Sequence, residues 1–317
     1  MPPQSGPGRR LAGMVLVAAT AASCGSTGAI PTRIASSSAI VTTTAPTATA
    51  SPSSAVTATL ADCGPARDSS ALHVVHHFSV SPDDITVDAG GRLWVTAREA
   101  NLLIGMDASG GAVTTQDAPG GPEGVATDAT ALYVAQQNLN SVLEIAPTLR
   151  TVVTLPNHTN NAGIDGIASD VAGHRVLVPD SPTGELFAVR LSGTPTPELL
   201  ASGLGRPVAA TTDGAGDIIV ASESSPGLTI VTPAGAKRSL GHFTDLDEVV
   251  MYAGLLYVTE LDHRDVLAVD PASGASVAVA VNLPAPQGLA VTATGTLEIV
   301  DSTTNTLYSV PACARPR

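Results

Sequence analysis

Aromatic residues make up only 3% of the 317-residue sequence, and charged residues only 14%. A coiled coil or helical bundle would be rich in Glu, Lys and Leu, so this composition argues against both. Lysine occurs once, as Lys237, and the net charge is −13, which excludes the basic surface that a nucleic-acid partner requires. The apolar run at residues 11–22 is shorter than the roughly 20 residues of a membrane-spanning helix.

Glycine and proline, in contrast, are abundant, with 30 and 24 residues. This composition is typical of many short strands joined by tight turns. The acidic residues are unevenly placed, because residues 1–60 contain three arginines and no Asp or Glu. We therefore expect three regions, at residues 1–23, 24–60 and 61–317, of which only the last is folded.

The first region has the features of an export signal. Arg9 and Arg10 precede the apolar run, and small residues follow it. The sequence Ala21-Ala22-Ser23-Cys24 resembles the lipobox of bacterial lipoproteins. The resemblance implies cleavage before Cys24, attachment of acyl chains such as palmitate, and anchoring at the outer face of the cytoplasmic membrane. The alternative is an ordinary secreted protein in which Cys24 has no such role.

Residues 24–60 are rich in Ser, Thr and Ala, and their few bulky apolar residues show no periodic pattern that could form a core. We expect a flexible stalk that can carry O-linked sugar. Two more cysteines, Cys63 and Cys313, lie at the ends of the folded region. Outside the cytosol such a pair oxidises, so we predict a disulfide between them.

Residues 61–317 contain a repeat: Pro, any residue, Gly or a substitute, β-forming residues, a polar turn, and Leu-Tyr-Val or a similar triplet. The second residue of the six copies falls at Asp83, Glu123, Asp165, Val208, Asp247 and Gln287, spaced by 40, 42, 43, 39 and 40 residues. Four short strands per period indicate a blade, and the sequence predicts an all-β, six-bladed β-propeller. A pair of β-sandwiches is the alternative.

An additional strand at residues 72–78 precedes the first repeat, whereas the last repeat has only three strands. We expect this N-terminal strand to complete the last blade, which leaves no open sheet edge and brings Cys63 near Cys313. Trp94, Tyr133 and Tyr257 occupy equivalent positions on second strands, where we expect them to pack between blades.

The repeat, clearest in Pro122-Glu123-Gly124-Val125 with Leu132-Tyr133-Val134, resembles the NHL-repeat propellers and the six-bladed family of senescence marker protein and gluconolactonase. The resemblance covers residues 72–313. It implies that the middle residue of each Pro-x-Gly turn faces the central channel and that several of these residues bind a divalent cation. The residues carried over are Asp83, Glu123, Asp165, Asp247 and Gln287, with Val208 at the sixth position.

Physical chemistry supports a cation independently. Inner strands converge on the axis where they begin, and four of the six positions there are carboxylates, which must take up protons, stay hydrated or share a cation. All-oxygen ligation favours Ca²⁺, then Mg²⁺ or Mn²⁺. The alternative is that these acids are hydrated turn residues.

Two further sets of polar residues are predicted near the same end of the channel. Asp180, Glu260 and Asp301 end second strands and form a candidate second ring for ligand binding, or else simply begin polar loops. His158, His242 and His263 fall in loops at the mouth and are candidate general bases, although each can equally be a plain loop residue.

These residues leave two main functions open. One is a monomeric binding module that holds a small molecule, a glycan or a partner protein at its acidic channel mouth. The other is a divalent-metal-dependent lactonase or esterase, in which a cation polarises the carbonyl. A lyase on the same scaffold has only the mouth histidines to support it.

Overall fold

The computed structural model describes residues 57–128, 131–145, 149–156, 163–224 and 226–313. The predicted signal, Cys24, most of the stalk and His158 lie outside these residues. The described chain is 51% strand and forms six sheets in a ring. The predicted six-bladed β-propeller is therefore confirmed.

The strands follow the chain from blade to blade. Before the first blade lie β1 (Arg67–Asp68) and β2 (His73–His77). Blade 1 contains β3 (Ile85–Val87), β4 (Leu93–Ala97), β5 (Leu102–Met106) and β6 (Thr114–Asp117). Blade 2 contains β7 (Pro122–Thr127), β8 (Leu132–Gln136), β9 (Ser141–Ile145) and β10 (Arg150–Thr154). Blade 3 contains β11 (Ala168–Asp170), β12 (Arg175–Asp180), β13 (Glu185–Arg190) and β14 (Pro197–Ala201).

The remaining blades repeat the arrangement. Blade 4 contains β15 (Pro207–Thr212), β16 (Ile218–Ser222), β17 (Leu228–Val231) and β18 (Lys237–Leu240). Blade 5 contains β19 (Leu246–Tyr252), β20 (Leu255–Glu260), β21 (Asp265–Val269) and β22 (Ser276–Val281). Blade 6 contains β23 (Pro286–Val291), β24 (Thr296–Asp301) and β25 (Thr306–Pro311). Three short 3₁₀ helices are described, at Leu60–Asp62, Ser69–Ala71 and Gln137–Leu139.

The ring closes as the sequence predicts. Strand β2 pairs antiparallel with β25 and becomes the outer strand of blade 6. A disulfide joins Cys63 to Cys313, whose Cα atoms are 4.2 Å apart. Strand β1, which the sequence does not predict, pairs parallel with β22 and adds a fifth strand to blade 5. The N-terminal segment therefore contacts both of the last two blades.

The hydrophobic core is divided among the interfaces between blades. In the described residues six clusters of buried apolar side chains occur, one at each pair of neighbouring blades. Trp94 packs toward blade 2, Tyr133 toward blade 3 and Tyr257 toward blade 6, which confirms their predicted role. Because each sheet is covered only by its neighbours, the blades stabilise one another.

The inner strands approach each other so closely around the axis that glycine is required at three of them. A Cβ atom added to Gly166 would lie 2.4 Å from the carbonyl oxygen of Val208. Main-chain N–H groups bridge the blades here: Gly124 donates to Asp165 (2.8 Å), Gly166 to Val208 (2.6 Å) and Gly288 to Asp83 (3.0 Å). These bonds hold three of the six second residues of the repeats at the axis.

Candidate functional site

The six repeat positions that the sequence predicts at the axis do meet there. Together they line a cavity of about 160 Å³ at the end of the channel where the inner strands begin. We call it the upper cavity; its lining includes Asp83, Glu123, Asp165, Val208, Asp247 and Gln287, along with Arg206 and Glu223. The roles assigned to these residues stay predictions, but their convergence is a property of the fold.

Two of the four carboxylates are held by donors. The side-chain nitrogen Nε2 of Gln137 donates to Glu123 and also to Oδ1 of Asp165, at 2.7 Å from the latter. Asp165 also accepts a bond from Ser181 (2.6 Å) and pairs with Arg206 (3.2 Å). Gln137 and Ser181 each directly follow a second strand and so share one repeat position, whereas Arg206 lies between repeats.

A second arginine reaches this pair of acids. Nη1 of Arg98 lies 3.3 Å from Oε1 of Glu123. Arg206 in turn also binds Glu223 at the rim. These two guanidinium groups compensate part of the acidic charge at blades 2 to 4.

Asp83 and Asp247 differ from that pair. Both side chains are half-buried, and neither makes a hydrogen bond to any described residue through its carboxylate. Burial, and then the charge of Asp84, raises the pKa of Asp83 to about 7. Burial and the charges of Asp83 and Asp165 raise the pKa of Asp247 well above its usual value. Unless a cation approaches, these two acids therefore tend to keep their protons.

Glu123 shows the same effect more strongly. Burial, followed by the charges of Asp83 and Asp165, raises the pKa of Glu123 to about 11, and Arg98 offsets only part of this rise. A hydrogen bond between Glu123 and Asp165 contributes in the same direction. The upper cavity thus holds more acidic groups than nearby positive charges, so its acids do not all ionise.

A second pair of acids, not predicted from the sequence, lies one residue further along two inner strands. Asp84 and Glu248 are 7% and 9% exposed and hydrogen-bond to each other across the channel. Oδ1 of Asp84 accepts from its neighbour Ile85 (2.6 Å), Oδ2 accepts from Val125 (2.7 Å), and Oε1 of Glu248 accepts from Val249 (2.7 Å). Burial raises the pKa of both carboxyls, that of Asp84 to about 7.

The sequence does contain a signal for this pair. The third repeat position is Gly124, Gly166, Ala209 and Gly288 in four blades, but Asp84 and Glu248 in blades 1 and 5. The same two blades carry a threonine on the second strand, and Thr96 and Thr259 accept the main-chain N–H groups of Asp84 and Glu248. A paired departure from the repeat therefore marks the two acids.

The upper cavity fits a metal ion only in part. Ca²⁺ takes six to eight oxygen ligands. Asp83, Asp247 and Gln287 can supply oxygens, but the oxygens of Glu123 and Asp165 already accept bonds from Gln137, Arg98, Arg206 and Ser181. Across the described residues no group of three or more His, Cys, Asp or Glu side chains is arranged to hold a metal ion. A cation there would keep several water ligands.

The predicted second ring lies outside the lining of the upper cavity. Asp180 accepts from Thr183 (2.8 Å), and Asp301 accepts from Thr304 (2.8 Å) and from Ala285 (3.0 Å). Glu260 accepts from the main chain of Thr244 (3.2 Å). These bonds hold neighbouring turns, which is what the alternative of a polar loop start expects. One oxygen of Asp180 is buried without a partner in the described chain, so a ligand-binding role for the ring stays a prediction.

The candidate bases are not placed at the acids of the cavity. His242 is exposed, and His263 is 64% exposed, with Nδ1 at 3.0 Å from Oε2 of Glu260. Neither belongs to the lining of the upper cavity. His158 lies outside the described residues. A catalytic role for any of the three stays a prediction.

No protein-family model and no curated protein matches the sequence. Solved structures do resemble the fold. A gluconolactonase from Xanthomonas campestris superimposes with a TM-score of 0.64 at 13% identity, over 75% of this chain and 88% of that one. A streptogramin B lyase structure gives 0.57 at 13%, over 75% and 96%. A chain of a nidogen/laminin complex gives 0.61 at 18%, over 68% and 87%. At these identities the likeness shows the propeller fold alone.

Proposed function

We propose that the protein is an exported binding module whose upper cavity receives a cationic group of a ligand or partner. The observation that carries this proposal is the convergence of four carboxylates on one small cavity, with arginine partners for only Glu123 and Asp165. Asp83 and Asp247 are left to attract a positive charge. Binding such a charge offsets the repulsion that keeps these acids protonated.

The size of the cavity favours binding over turnover. Its volume of about 160 Å³ is below the roughly 300–1,000 Å³ of most small-molecule sites. A hydrated metal ion, or the tip of one cationic side chain, suits this volume better than a complete sugar lactone. The absence of His242 and His263 from the lining points the same way.

A titration of the chelator-treated full chain tests the proposal. Calcium chloride and a tri-arginine peptide are the two probes, followed by calorimetry. We expect one of them to bind, with Kd of about 10⁻⁴–10⁻³ M for Ca²⁺, as in extracellular calcium modules. Asp247→Asn should weaken binding at least about tenfold, because it removes a desolvated charge. Asp117→Asn, the same charge change on an exposed outer strand, is the control.

The results separate cleanly. Equal losses in Asp247→Asn and Asp117→Asn would mean that only the net charge of the protein matters. Binding of neither probe would contradict the proposal.

The alternative is a metal-dependent lactone or ester hydrolase. It is supported by the carboxylates at the axis and by the shared fold with a gluconolactonase. A panel of lactones, assayed with and without chelator, distinguishes the two functions. Turnover that disappears with chelator and with Asp247→Asn would favour the hydrolase over the binding module.

The proposed location is the outer face of the bacterial cytoplasmic membrane, reached through acyl chains on Cys24. Among the described residues no helix has the length and apolarity to cross a membrane. The disulfide between Cys63 and Cys313 supports an oxidising compartment. Detergent-phase partition of the full chain, compared with Cys24→Ser, tests the anchor: the parent should enter the detergent phase and the variant should not.

A further inference from the structure

The channel has a second cavity at its other end. It measures about 280 Å³ and is lined by the later residues of the same six inner strands. We call it the lower cavity. Asp84 and Glu248 line both cavities, so their carboxyls separate the upper end from the lower end.

The walls of the lower cavity are unlike those of the upper one. They include Val87, Val250 and Val291 together with Thr and Ser residues. No Lys, Arg or His is among its lining residues in the described chain. Two acids more than nine-tenths buried therefore stand at its inner end without a basic partner.

The fold does not require these acids, because glycine or alanine occupies the same repeat position in the other four blades. A buried carboxyl without a cation reduces stability. The hydroxyl of Ser169, which also lines the lower cavity, is buried and has no hydrogen-bond partner in the described chain. An acceptor-rich end, a partly aliphatic wall and an unused hydroxyl together are complementary to an amphipathic cation.

We propose that the lower cavity binds a small organic ammonium ion, with its charged group against Asp84 and Glu248 and its carbon chain against the valine-lined wall. An ammonium group needs only three acceptors. A hard metal ion fits less well, because three of the four carboxyl oxygens already accept main-chain N–H groups. The volume lies near the lower limit for small-molecule sites, which suits a chain of a few carbons.

Hexylammonium is the probe, titrated into the full chain with calcium chloride present to compete at the upper cavity. Hexanol and hexanoate are the neutral and anionic controls. We expect hexylammonium to bind at least about tenfold more tightly than either, because only it provides a charge for the buried acids. Equal binding of hexanol, or no binding of hexylammonium at about 10 mM, would overturn the proposal.

Two neighbouring residues provide a matched pair of variants. Glu248→Gln and Asp247→Asn each remove one acidic charge from adjacent positions, but only Glu248 lines the lower cavity. We expect Glu248→Gln to weaken hexylammonium binding at least about tenfold and Asp247→Asn to change it less than about threefold. The reverse order, or equal losses, would place the ammonium ion in the upper cavity and overturn the proposal.

A third variant does not depend on the buried acids. Val171 is 65% exposed and lines the lower cavity, so Val171→Trp narrows its entrance without altering the hub. We expect at least about a fivefold loss of hexylammonium affinity and unchanged Ca²⁺ binding. Unchanged hexylammonium binding in this variant would count against entry from this end. Because Ca²⁺ is measured separately, failure here is distinguishable from failure at the upper cavity.

Discussion

The two cavities at the axis are lined by the same six strands but differ in how their acidic charge is compensated. In the upper cavity, Arg98 and Arg206 pair with Glu123 and Asp165. In the lower cavity, Asp84 and Glu248 have each other and main-chain N–H groups, with no basic lining residue in the described chain. The comparison shows that the charge of a site depends less on the number of its acids than on the hydrogen-bond donors and cations that contact them.

The local cause of the difference lies in the loops. Arg98 follows the second strand of blade 1, and Arg206 directly precedes the first strand of blade 4, so both arginines stand at the upper end. Residues at the lower end come from the first strands of the blades. A strand interior can offer an apolar wall, whereas a loop can offer a charged side chain.

The largest expected effect is a loss of stability that concerns the upper and the lower cavity equally. Replacing Cys63 and Cys313 by Ser opens the link between the start and the end of the ring. Because the bridge closes a long loop, we expect a loss of about 2–5 kcal/mol in the free energy of unfolding. Urea denaturation of the double variant measures it. If only one of the two ligands, Ca²⁺ or hexylammonium, then lost affinity in the still-folded variant, the two ends would not depend equally on ring closure.

Most of the fold is predictable from the sequence. The ring, its six blades and the positions at the axis are predictable, because a regular repeat reflects the regular packing of neighbouring sheets. Closure by residues 72–78 and the disulfide are predictable from the missing strand in the last repeat. Strand β1 is not, because two residues carry no periodic pattern.

The compensation of charge is much harder to predict. Asp84 and Glu248 are hard to recognise, because the third repeat position varies between glycine and other residues. The threonines on the second strands of the same two blades are the only accompanying signal in the repeat. Arg206 lies between repeats, so its contact with Asp165 depends on how the loop folds. The acids at the axis can be found from spacing, and most of their donors directly follow a second strand, whereas the position of Arg206 is not related to the repeat.

A smaller expected effect is a difference in unfolding free energy between variants of two acids in the upper cavity. Asp165→Asn removes the charge that holds Arg206 and Ser181, so we expect a loss of about 1–3 kcal/mol in unfolding free energy. Asp247→Asn removes a carboxylate without a hydrogen bond in the described chain, so in chelator we expect a gain of about 1 kcal/mol. Denaturation of both variants measures the two signs. The same sign for both would show that repulsion alone, or pairing alone, governs this end.

The dependence of stability on pH tests both ends at once. The pKa values of Asp83 and Asp84 are raised to about 7, mainly by burial. The unfolded chain releases these protons near pH 4 and the folded chain near pH 7, so the folded chain binds more protons in between. The free energy of unfolding should therefore decrease as pH rises from about 4 to 7, by up to about 4 kcal/mol for each of the two groups.

Ligands should remove this dependence separately at each end, because a bound cation favours the ionised carboxylate and lowers its pKa. Saturating Ca²⁺ should flatten the part that arises from Asp83, and hexylammonium the part that arises from Asp84. Thermal melts from pH 4.5 to 8 with neither ligand, one or both measure the contributions. If Ca²⁺ alone abolished the whole dependence of stability on pH, the acids of the two cavities would titrate as one unit. The two cavities would then differ in shape but not in charge.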